Sequence, residues 1–178
     1  MITRRQLFRG NFDKNTQLEI RPPWAKAEEQ FTDLCSRCND CIKACPEEII
    51  VTGSGKFPVV DFKKGGCTFC HQCVDACQSN AFNDITQQPW GIKIAIQDNC
   101  LSKIGVVCQS CSDVCEQNVI QFSLQMGGVP SIKLNTQKCT GCGFCVDVCP
   151  KNSISIKPKV GKALPSPSDE KDIKSFVV

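Results

Sequence analysis

Four cysteine blocks constrain this chain more than anything else in it: CSRCNDCIKAC (35–45), CTFCHQCVDAC (67–77), CLSKIGVVCQSCSDVC (100–115) and CTGCGFCVDVC (139–149). Three share the spacing C-x2-C-x2-C-x3-C. The third ends the same way but holds seven residues between Cys100 and Cys108. Together they use all sixteen cysteines of a 178-residue chain, so the repeat decides what the chain is built around.

The spacing is that of the bacterial ferredoxin run, in which a loop wraps one corner of an iron–sulfur cube. Three cysteines, each two residues from the next, curl around one cluster. The final x3 step is a helical interval, which predicts that Cys41 and Cys45 lie one turn apart on one helix face. The helix then carries the fourth thiolate toward the neighbouring cluster. Pairing the blocks in chain order gives four ligand sets for four [4Fe–4S] clusters. Cys35, Cys38 and Cys41 join Cys77. Cys67, Cys70 and Cys73 join Cys45. Cys100, Cys108 and Cys111 join Cys149, and Cys139, Cys142 and Cys145 join Cys115. The widened loop makes the Cys100 site the one open to a three-iron or labile alternative.

Competing uses of cysteine fit less well. Disulfides belong to oxidising compartments, and no apolar run of signal-peptide length follows the basic N-terminus. Structural zinc sites pair two separated C-x2–4-C or Cys/His units, whereas every block here is a triplet with a trailing cysteine. No apolar stretch reaches the length of a membrane span. The expectation is a cytoplasmic protein. The formal charge of +3 gives no reason to expect a nucleic-acid partner. Sixteen thiolates and four cationic cores would turn the holoprotein net negative. Aromatic residues make up only 7%, with no Tyr, so a conventional core is thin and metal binding should drive folding. With every cysteine assigned to clusters no spare nucleophile remains, and no phosphate loop or His/carboxylate constellation appears. The chain does not read as an enzyme.

The segments between blocks repeat too. Residues 49–62 and 119–134 each read as a hairpin, turning at Gly53-Ser54-Gly55 and at Gly127-Gly128. Ile92, Ile94 and Ile96 alternate with Lys93, Ala95 and Gln97, as in a half-buried strand. The fold class is α+β: two tandem bacterial ferredoxin-like modules of short hairpins and short helices. The divisions are an N-terminal basic, Pro-rich extension (1–27), a first module (28–90), a second (91–157) and a flexible tail (158–178). Gly141 and Gly143 are expected to let backbone N–H groups approach the sulfides. Pro46 and Pro150 follow Cys45 and Cys149, while Gln78 and Glu116 stand at the matching places in blocks two and three, which predicts wetter surroundings there. His71 reads as a surface residue, and Trp24 and Trp90 as packing at module edges.

Three features together resemble the ferredoxin-type NapF proteins of periplasmic nitrate reductase operons. They are the segment Arg4 to Gly10 without an apolar region after it, the run Ile20-Arg21-Pro22-Pro23-Trp24, and the four blocks in this order with the long third spacing ending Cys-Glu. The resemblance covers about residues 2–155. It implies a cytoplasmic accessory protein that meets the catalytic molybdenum subunit of the periplasmic nitrate reductase before export and helps to insert or reduce that subunit's cluster. On this reading residues 2–24 are the contact segment. The alternative is a soluble polyferredoxin that relays electrons to a reductase.

Overall fold

The computed structural model describes residues 19–123, 125 and 130–158. The N-terminal Arg-Arg segment, the Gly127-Gly128 turn and the tail beyond residue 158 lie outside them.

Small amphipathic pieces are folded around the cysteine loops. The order is α1 (Glu28–Leu34), α2 (Asp40–Lys43), β1 (Ile50–Thr52), β2 (Pro58–Val60), α3 (Gln72–Asp75), β3 (Ile92–Ile96), α4 (Ser110–Asp113), β4 (Ile120–Ser123), β5 (Ser131–Leu134), α5 (Phe144–Asp147) and β6 (Ile154–Pro158). Three antiparallel pairs form: β1 with β2, β4 with β5, and β3 with β6. The first two are the hairpins read from the sequence, with Ile50 opposite Val60 and Ile120 opposite Leu134. The third is long-range and joins Ile92–Ile96 to Ile154–Pro158. Alternation on β3 buries Ile92 and Ile94, as its period-two pattern requires, while Ile96 is half-buried.

The halves are built on one plan. In the first, the counterpart of the β3–β6 pair is the single bridge between Ala25 and Phe82. It is flanked by hydrogen bonds from Lys26 N–H to Ala81 C=O and from Asn83 N–H to Trp24 C=O. Residues 20–26 are therefore woven into the first half. Pro22, Pro23 and Trp24 are buried, and the Trp24 indole N–H donates to the Gln87 carbonyl at 2.9 Å. Arg21 locks this strap: its guanidinium donates two hydrogen bonds to Glu28, at 2.7 and 2.9 Å, and lies over the rings of Phe31 and Phe57. Of the expected contact segment, residues 20–24 are thus occupied inside the protein, and residues 2–18 fall outside the described part.

The core divides in the same way. Trp24, Phe31, Ile49, Ile50, Phe57, Phe62 and Phe82 fill the first half. Ile94, Val119, Ile120 and Ile154 fill the second, in a cluster with no fully buried aromatic ring.

Candidate metal centres

Three of the four blocks bend by the same local device. In blocks one, two and four the residues on either side of the second cysteine take left-handed backbone: Arg37 and Asn39, Phe69 and His71, Gly141 and Gly143, with φ between 56° and 86°. That pair of reversals curls the loop tightly enough for its first three thiols to face one space. A one-turn helix follows, with the third cysteine as its second residue: Cys41 in α2, Cys73 in α3, Cys111 in α4 and Cys145 in α5. The helices stop sooner than the spacing suggested. α2 ends at Lys43 and is capped by Ala44, so Cys45 lies just past the helix rather than on its face.

Three residues beyond each fourth cysteine the chain turns left-handed again, at Glu48, Asn80, Asn118 and Asn152. In the second half this aims the next N–H back at sulfur: Val119 N–H donates to Cys115 Sγ at 3.3 Å and Ser153 N–H to Cys149 Sγ at 3.2 Å. Amides so placed stabilise negative charge on sulfur. This recurring turn was missed in the sequence; Asn at three of the four positions was the available signal.

The structure brings together the four thiols of each expected set on the wall of a common cavity. Cys35, Cys38, Cys41 and Cys77 surround about 320 Å³. Cys45, Cys67, Cys70 and Cys73 surround about 350 Å³. Cys100, Cys108, Cys111 and Cys149 surround another 350 Å³, so the widened loop still delivers Cys100 to its partners. Cys115, Cys139, Cys142 and Cys145 line the largest, an open cavity of about 900 Å³. Among the described residues no three His, Cys, Asp or Glu side chains converge closely enough to hold one metal ion. Each set of four thiols lines one cavity.

The donor chemistry fits an iron–sulfur core. Burial, followed by the charges of neighbouring thiols, pushes Cys41 and Cys145 up to about 12. Cys73 also rises to about 12 and Cys111 to about 11, in each case through burial first. Cys67 rises to about 11 for the same reason, against the hydrogen bond from Phe69 N–H to its sulfur. Left to themselves these groups keep their protons; a cationic core that displaces the protons relieves the repulsion. Cys77 is the contrast. Burial works to raise it, but hydrogen bonds from Ser79, Ala81 and Asn80 outweigh that and hold it below the ordinary thiol value. Ser153 Oγ is buried without a hydrogen-bond partner among the described residues, and Ser153 lies on the wall of the Cys100 cavity. An inorganic sulfide there would supply the missing acceptor.

The remaining sequence readings fare unevenly. His71 is half-buried, its ring 4.9 Å from that of Trp24. Trp24 is a core residue, and Trp90 is half-buried and donates from its indole to the Thr140 carbonyl at 3.0 Å. Pro46, Gln78, Glu116 and Pro150 are all exposed, so the contrast in wetness between proline and polar positions is absent. Gly141 and Gly143 are needed for packing. A Cβ on Gly141 would strike Trp90 and Ile92, and one on Gly143 would strike Phe62, while both backbones are left-handed.

Two stretches match known iron–sulfur domains: residues 34–82 and residues 106–153 each match a 4Fe-4S dicluster domain. The folded loops and these matches define the class, a ferredoxin-type iron–sulfur protein with two tandem dicluster domains. Over 155 residues the chain is 37% identical to the ferredoxin-type protein NapF of Escherichia coli K12, covering 87% of this chain and 94% of that one. It is 43% identical over 164 residues to the NapF protein of Haemophilus influenzae, covering 87% and 93%. The methylamine utilization ferredoxin-type protein MauM of Methylobacillus flagellatus is more distant, 30% identical over 156 residues, covering 78% of this chain and 67% of that one. The chain belongs to the ferredoxin-type NapF family.

Proposed function

We propose that the chain binds four [4Fe–4S] clusters through the four cysteine sets, in modules 28–90 and 91–157, with residues 20–27 strapping the first. The observation that carries this reading is that each set of four thiols lines its own cavity. When bound, such clusters supply one-electron redox chemistry and a store of iron and sulfide. The polypeptide contributes thiolates, N–H donors to sulfur and a partly apolar enclosure. No substrate-transforming role is assigned to it.

The cellular role we propose is that of a cytoplasmic accessory protein. It binds the catalytic molybdenum subunit of the periplasmic nitrate reductase before export and assists insertion or reduction of that subunit's own cluster. Family membership supports this, and among the described residues no helix is long and apolar enough to cross a membrane. The test is anaerobic mixing of the 57Fe-loaded protein with the cluster-free catalytic subunit, followed by separation and Mössbauer spectroscopy of each. Labelled iron in the subunit supports insertion. Label retained here, with electrons appearing in the subunit when the mixing is repeated with its oxidised, cluster-loaded form, supports reduction. Failure of the two proteins to associate argues against the accessory role. The alternative, a relay serving a reductase, rests on the gathering of four cavities in one chain. It predicts rapid, reversible re-oxidation by a reductase without prior complex formation.

A further inference from the structure

The halves meet through their cysteine loops. The N–H of Cys67, the first cysteine of block two, donates to the carbonyl of Cys142, the second cysteine of block four, at 2.7 Å. Cys67, Thr68 and Phe69 of the first half line the cavity of the Cys139 set in the second. Cys67 also lines the cavity of its own set, so one residue stands on the wall of both. The outer cavities differ. That of the Cys35 set is lined only from residues 31–82, and that of the Cys100 set only from residues 96–154.

The seam is closely fitted. Gly66, just before Cys67, lies against the ring of Phe144, where a Cβ would collide. Gly143 lies as closely against Phe62 of the first half. Trp90 joins the same seam, edge-on to Phe62 and Phe69 at 5.6 and 5.9 Å, while its indole holds the Thr140 carbonyl of block four. A tether between independent modules needs none of this.

Resting on the ligand sets proposed above, we infer that this seam is a built junction that makes the Cys67 and Cys139 sets neighbours, so that the four sites form one series: Cys35 set, Cys67 set, Cys139 set, Cys100 set. Within each half the succession follows from the helices that carry the third cysteines, since α2 packs on α3 and α4 on α5. The seam adds the middle link and makes the ends of the series the Cys35 and Cys100 sets. Exchange across it transfers a bare electron: one inner site is oxidised by one, its neighbour is reduced by one, and no proton or atom moves. A chemical reductant such as dithionite is enough to populate the states.

The test is electron paramagnetic resonance on the full chain with both outer sites removed (Cys35→Ala, Cys38→Ala, Cys100→Ala and Cys108→Ala). Two four-iron sites then remain, or about eight irons per chain. After dithionite reduction the junction predicts a broadened, spin-coupled spectrum. Eight irons with two narrow, magnetically isolated signals would overturn the junction and leave the ligand sets standing. A wild-type chain that binds no iron overturns the ligand sets, and the junction with them. Should removal of the outer sites unfold the chain, the second measurement uses all sixteen cysteines with Trp90→Ala and Phe144→Ala. Unchanged iron content with a several-fold lower microwave power at half-saturation supports the junction, and unchanged relaxation overturns it.

Discussion

The two halves of the chain use the same cysteine plan but rest on different supports. The first has a core with five aromatic residues, Trp24, Phe31, Phe57, Phe62 and Phe82, and a strap locked by Arg21. The second has four buried aliphatic residues, a five-residue strand pair and a long loop that leaves Ile104, Val106 and Val107 exposed. Apolar burial is the main favourable term in folding, so the half with less of it depends more on its metal. Repetition of a ligand motif therefore does not imply repetition of stability.

The largest expected effect comes from removing iron. Anaerobic chelation should abolish most of the far-ultraviolet circular dichroism. Amide exchange should rise first in β4 and β5 and later in β1 and β2. Simultaneous exposure of both hairpins would break the comparison. Next is Phe31→Ala. Phe31 has no exposed surface, and truncation of a buried Phe costs about 3–5 kcal/mol. The denaturation midpoint of the first half should fall while the Cys100 set keeps its iron. A smaller loss is expected for Arg21→Ala, about 1.5–3 kcal/mol for charged hydrogen bonds, toward the lower end because Glu28 is largely exposed. Urea titration followed by far-ultraviolet circular dichroism would measure it. The smallest effect is confined to one site. Ser153→Ala removes the buried hydroxyl beside the Cys100 set, and hydrogen bonds to cluster sulfur help to set the potential. The potential of that site alone should fall, as read by titration under paramagnetic resonance.

Much of this was legible in the sequence because cysteine spacing is a local code. Which four thiols face one cavity follows from short loops and one-turn helices, and the two hairpins follow from alternating apolar residues around glycine. What was not legible depended on contacts between distant segments. The run Arg21-Pro22-Pro23-Trp24 looked like an accessory extension; only the Ala25–Phe82 bridge that follows it and the clasp of Glu28 make it a structural strap. Gly141 and Gly143 were read as partners of the sulfides, but the residues that require them, Phe62, Trp90 and Ile92, lie about 50 to 80 positions earlier in the chain. The length of the short helices was not legible either: spacing put Cys41 and Cys45 on one helix, but α2 ends at Lys43, and the two thiols line different cavities.

The claim beneath all of this is that the cysteines hold inorganic iron–sulfur cores, four of them. It is tested most directly by iron and acid-labile sulfide analysis of the anaerobically isolated full chain, with Mössbauer spectroscopy of the same sample. The account predicts about sixteen of each per chain, all in four-iron environments. A colourless protein that carries zinc, or no metal at all, would contradict it.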